Sequence, residues 1–119
     1  GDGAALMHLG SLVINATEGN KNFKHIIINN GAHDSVGGQN TAGFKVSLTD
    51  IGEKLGYNTL KCVSTKENLK NSIKKLLNID GPAFLEVKVI KGSRKNLGRP
   101  TIGPIENKLG FMGFIGNDK

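Results

Sequence analysis

Tryptophan is absent from this 119-residue chain, which holds one tyrosine, one cysteine and three prolines. A lone Cys62 cannot close an internal disulfide, so a disulfide scaffold is excluded and a reducing, cytoplasmic setting is expected. No apolar run approaches the roughly 18 residues of a membrane span, and no basic stretch leads into an apolar one as in an export signal. Acidic residues are the scarcer charge, ten against sixteen basic, which leaves a formal charge of +6. That charge lacks the aromatic platforms and basic-aromatic motifs of a nucleic-acid module, so neither nucleic acid nor membrane is an expected partner. Lys66, Lys70, Lys74 and Lys75 fall on one predicted helix, where a solvated face accounts for them. A small anionic ligand is the better use for the rest.

What is present is enough for one domain with a real core: 37% of residues are apolar and 22% charged. Seventeen glycines stand out, as does a first residue that is Gly, which suggests a piece of a longer polypeptide. The pattern predicts a helix over 4–18, with Leu6, Leu9, Val13 and Ala16 on a stripe widened by Met7, Leu12 and Ile14, and covered on several sides. Residues 23–29, centred on Ile26-Ile27-Ile28, read as a strand buried on both faces. A polar loop with four glycines spans 30–43. Ser47 caps a helix that carries Ile51 and Leu55 and stops at Gly56. Short strand 59–63 follows, and then a capping box at Ser64 and Glu67 opens a helix bearing Leu69, Ile73, Leu76 and Leu77. Residues 82–90 form a further strand, 91–104 wander over the surface, and 104–115 are a weaker helix. Strand, helix, strand, helix, strand is an α/β pattern with a mainly parallel sheet flanked by helices. Cys62 is expected in the core.

Chemistry concentrates at Gly1-Asp2-Gly3 and, 25 residues further on, Asn29-Asn30. Either motif alone is a common turn or cap. If both lie at neighbouring tips on one edge of the sheet, they offer a carboxylate, an amide oxygen and a backbone carbonyl, the donors a hard cation takes. Glycines beside Asp2 let backbone approach a phosphate, and a helix begins there.

This spacing resembles the cofactor motif of the thiamine diphosphate-dependent enzymes. The loop NNGAHDSVGGQ over 29–39, the tail GSRKNLGRPT over 92–101, Glu106-Asn107-Lys108 and Phe111-Met112 are similar to the phosphonopyruvate decarboxylase branch of that family. The resemblance covers essentially the whole chain and implies the C-terminal, diphosphate-binding domain over residues 1–119, in part. It implies thiamine diphosphate and Mg²⁺ as cofactors, with Asp2, Asn30 and the Ala32 carbonyl as metal ligands and the backbone of Gly1, Gly3 and Ala4 near the diphosphate. The implied reaction converts phosphonopyruvate, a small anionic 2-oxo acid, to phosphonoacetaldehyde and CO₂ in phosphonate biosynthesis.

A proton must reach the carbon that loses CO₂; His33 is the candidate, with Asp34 and Gln39 able to orient it or simply to cap turns. Arg94 and Arg99, the only arginines, have the bidentate geometry that suits a phosphonate, though a solvated tail also explains them. The family's other half, which holds the aminopyrimidine ring, has no counterpart here, and a strand expected before Gly1 is missing. The implied partner is therefore that pyrimidine-binding domain or a second subunit, within a homo-oligomer, and the chain alone is expected to be inactive. The alternatives are a sulfopyruvate decarboxylase or another thiamine-dependent 2-oxo acid decarboxylase, and, from a different class, a non-catalytic oligomerisation fragment.

Overall fold

The computed structural model describes residues 1–116; the end of the 1–119 span lies outside the described residues. Three strands, β1 (Lys24–Asn29), β2 (Asn58–Thr59) and β3 (Ala83–Lys88), form an all-parallel sheet in the order β1-β3-β2. Helices α1 (Asp2–Met7) and α2 (Leu9–Glu18) precede β1, α3 (Leu48–Leu55) links β1 to β2, α4 (Lys66–Asn78) links β2 to β3, and α5 (Pro104–Gly116) follows. The chain steps from β1 past a vacant position to β2, and then back to fill it with β3. Right-handed crossovers taken in opposite directions put their helices on opposite faces, and the core divides accordingly. Leu12, Ile27, Leu48, Tyr57 and Phe84 form one buried cluster under α1, α2 and α3, while Val63, Leu76, Ala83, Leu85 and Val87 form the other under α4. β3 lies between them, with Ala83 to Val87 all buried.

Several expectations change at the level of single residues. The first helix is broken at His8, and only Leu12 of α2 is buried; Met7, Leu9, Val13 and Ile14 are exposed rather than covered. β1 is an edge strand, so Ile27 is buried but Ile26 and Ile28 are not. Ser47 caps α3 by accepting from the Asp50 N–H at 3.2 Å, as the sequence indicates. The cap of α4 falls one residue later than expected, on Thr65, which accepts from the Asn68 N–H.

The predicted strand over 59–63 is interrupted. Leu60 N–H reaches the Phe84 carbonyl and Val63 N–H the Glu86 carbonyl, so three residues on one side match two on β3. The extra residue bows the chain out, as in a bulge, and Cys62 is exposed at the surface instead of packed in the core. Partial burial of its sulfur, and then the Glu86 charge, push the thiol above its ordinary range. Among the described residues no helix is long and apolar enough to cross a membrane.

Candidate functional site

The carboxyl end of β1 and the start of α1 lie side by side, at the sheet edge where open α/β folds bind ligands. Asp2 is buried there despite its charge. One of its oxygens accepts from the Asn30 backbone N–H at 3.3 Å and the other from the Thr41 hydroxyl.

Alternation along β1 separates the two asparagines. Asn29 is fully buried: its amide N–H₂ donates to the Gly43 carbonyl at 2.8 Å and to Glu86 Oε1 at 2.7 Å, while its Oδ1 accepts from Gly31 N–H at 3.1 Å. Asn30 faces a cavity of ≈ 390 Å³. Its Oδ1 accepts from the Ala32 N–H at 3.1 Å, and its Nδ2 donates to Asp34 at 2.7 Å, which fixes the direction of the amide. Among the described residues no hydrogen bond ends on the Ala32 carbonyl, although Ala32 bridges Asn40 across the loop.

Gly1, Gly3, Ala4 and Met7 line the cavity on one side, with Ile28, Asn30 and residues 32–36 opposite. The His33 ring lies so close over Gly3 that a Cβ there would collide with it. Gly43 is the second close approach, since a Cβ would meet Asp2 Oδ2 and Asn29 Oδ1. No three His, Cys, Asp or Glu side chains cluster as a metal site among the described residues. The donors on offer are a carboxylate, an amide oxygen and a main-chain carbonyl, a hard oxygen set that fits Mg²⁺ and would not select a softer metal.

Asn30, Ala32, Gly1, Gly3, Ala4 and His33 are thus brought together around the cavity; Asp2 is not among its lining residues but is joined to them through the Asn30 N–H. Gln39 is not among the residues lining the cavity; its amide lies over Gly37, and its carbonyl accepts from His33 N–H at 2.8 Å. Arg94 and Arg99 also lie outside the lining, in the exposed tail, and Arg99 borders a separate cavity with Pro100 and Asn107. The beginning of that tail is tied to the loop: Gly92 N–H donates to Asp34 at 2.7 Å and the Lys91 ammonium donates to the Gly38 carbonyl.

Thr41, Gly43, Thr49 and Glu86 escaped the sequence reading. Only Glu86 left a trace there, as a carboxylate inside the apolar run Phe84-Leu85-Glu86-Val87.

Comparison with known proteins gives the family. Residues 1–87 match the family described as "Thiamine pyrophosphate enzyme, C-terminal TPP binding domain". The chain is 34% identical, over 97% of its length, to a phosphonopyruvate decarboxylase of Streptomyces viridochromogenes, and 37% identical, over 96%, to one of Streptomyces hygroscopicus. It spans 29% and 28% of those two proteins. It is also 33% identical to a sulfopyruvate decarboxylase subunit beta of Methanocaldococcus jannaschii, over 97% of this chain and 61% of that subunit. The chain belongs to the thiamine pyrophosphate enzymes, in the family of their C-terminal cofactor-binding domain.

Proposed function

We propose that residues 1–119 form part of the diphosphate- and Mg²⁺-holding domain of a 2-oxo acid decarboxylase acting on phosphonopyruvate, in phosphonate biosynthesis. The observation that carries this reading is the link of Asp2 to the Asn30 N–H, and of the Asn30 amide oxygen to the Ala32 N–H, beside the start of α1. Asp2 and Asn30 would hold Mg²⁺ through side-chain oxygens and Ala32 through its carbonyl, and the backbone of Gly1, Gly3 and Ala4 would meet the diphosphate. Thiamine diphosphate, when bound, supplies the electron sink for loss of CO₂ from a 2-oxo acid.

His33 delivers the proton that replaces CO₂, a role supported by its ring lying over Gly3 at the cavity wall. Gln39 supports it through the backbone bond rather than by touching substrate. Arg94 and Arg99 meet the phosphonate end of the substrate; the tie of Gly92 to Asp34 supports this by anchoring the tail next to the cavity. A partner segment or subunit holds the rest of the cofactor within an oligomer, a reading supported by the short span relative to the Streptomyces proteins and by the subunit designation of the archaeal relative. The single cysteine supports a cytoplasmic location.

The same archaeal relative favours sulfopyruvate as a second substrate reading. Turnover of the two acids by the complete enzyme separates them.

Calorimetric titration with thiamine diphosphate and Mg²⁺, alongside Asp2→Ala, tests the anchoring role. Binding that requires Mg²⁺ and is lost in the variant is expected. Failure to bind in the complete enzyme would overturn the reading in favour of a non-catalytic oligomerisation fragment.

A further inference from the structure

We propose that Glu86 is a positioning residue for the cation site, acting through Asn29 on both ends of the loop that carries Asn30 and Ala32. The inference rests on the cofactor-anchoring reading above.

Glu86 is 1% exposed on the central strand, and among the described residues no cation forms a salt bridge with it. A buried carboxylate is costly unless its oxygens are hydrogen-bonded, and an apolar side chain would serve packing alone better. Three donors meet it: Asn29 Nδ2 at 2.7 Å on one oxygen, Thr49 N–H at 3.1 Å and Thr49 Oγ1 at 3.0 Å on the other.

A carboxylate accepts and cannot donate, so the Asn29 amide must turn its N–H₂ toward Glu86. That orientation puts the second N–H on the Gly43 carbonyl and leaves Oδ1 for Gly31 N–H. Reversed, the amide would face its oxygen toward two acceptors and its N–H₂ toward a donor. Glu86 thus joins the Gly43 carbonyl and the Gly31 N–H in holding Asn29 in one orientation, and it is the one of the three that stands on the central strand. Asn29 in turn joins Gly31, beside Asn30 and Ala32, to Gly43, which lies against Asp2. The spacing between the Asp2 carboxylate and the loop's oxygens is set from the central strand. A purely structural Glu86, clamping α3 to the sheet through Thr49, would matter for stability but not for the metal.

The experiment uses the complete enzyme containing this chain and titrates Mg²⁺ at saturating thiamine diphosphate, with heat of binding as the readout. Glu86→Gln offers one acceptor oxygen where two served, leaving a donor against an amide N–H₂ whichever way it turns. It should raise the Mg²⁺ concentration at half-saturation about tenfold. Val87→Ala, which hollows the opposite face of the same strand, should lower the melting temperature and leave that concentration unchanged. Asn29→Ala should raise it at least as much as Glu86→Gln, and the double variant should add nothing further.

Glu86→Gln with the parental Mg²⁺ requirement, or one shifted only as far as by Val87→Ala, overturns the proposal. If Glu86→Gln does not fold, an unchanged requirement in Asn29→Ala overturns it. A parent protein that binds without Mg²⁺, or does not bind, removes the anchoring reading itself. A Mg²⁺-dependent parent with an unaffected Glu86→Gln sinks the positioning role alone.

Discussion

His25 sits in β1 among rings, 5.7 Å from Phe23, 6.0 Å from Tyr57 and 5.5 Å from Phe84 between centroids, with its Nδ1 3.3 Å from the Tyr57 hydroxyl. Burial holds its pKa below the ordinary 6.5. The imidazolium is thus disfavoured in the fold. As pH falls below 6.5, the unfolded chain takes up this proton before the folded chain does, so stability rises with pH in that window. The contribution of neutral His25 is complete above pH 6.5 and is lost as pH falls through the lowered folded value. Acidification from pH 7 to 5 should lower the melting temperature less in His25→Phe than in the parent chain. Equal slopes in the two proteins would show that His25 is not the group responsible. The same contrast of environments separates the site's residues. Asp2 and Glu86 are both buried carboxylates, but Asp2 holds the Asn30 N–H and the Thr41 hydroxyl while Glu86 lies behind Asn29.

At the scale of elements, local rules were legible wherever local chemistry decides. Ser47 and Gly56 bounded α3, and the stripe over Leu69, Ile73 and Leu76 placed α4 against the sheet. Gly1-Asp2-Gly3 and Asn29-Asn30 were readable because one helix-and-strand length returns the chain to the same edge. What could not be read depends on distant partners. The extra residue between Leu60 and Val63 appears only against the ladder of β3, and Asn29 shows its role only with Gly43 and Glu86 in place.

The cap of α4 is a smaller case of the same kind, because Ser64 and Thr65 both suit an N-cap. Extended backbone at Thr65 (φ −115°, ψ 150°) and its bond to Asn68 N–H assign the role to Thr65. Thr65→Ala should therefore cost about 1 kcal/mol of unfolding free energy in urea, and Ser64→Ala close to nothing. The reverse order of costs would return the cap to Ser64.

For the molecule as a whole, the Cα radius of gyration of 16.4 Å exceeds the roughly 13.5 Å that chain-length scaling gives for a compact domain of this size. The exposed stretch over 88–116 accounts for the excess. α5 closes that stretch with thirteen residues, none buried, and with Ile105, Leu109, Phe111, Met112, Phe114 and Ile115 all exposed. Pro104 at its first position and Glu106 in its first turn favour starting the helix, but Gly110 and Gly113 in its interior each cost about 1 kcal/mol relative to Ala. A helix of this length is marginal in water without packing. In the dilute isolated chain, backbone amides of 107–115 should then exchange with solvent at near-unprotected rates, while those of β3, buried on both faces, are protected. Cover by a partner segment in the complete, assembled enzyme would slow the same amides by at least tenfold. Strong protection of 107–115 in the dilute monomer would mean that the helix stands without a partner, and the apolar side chains of α5 would then need a different explanation.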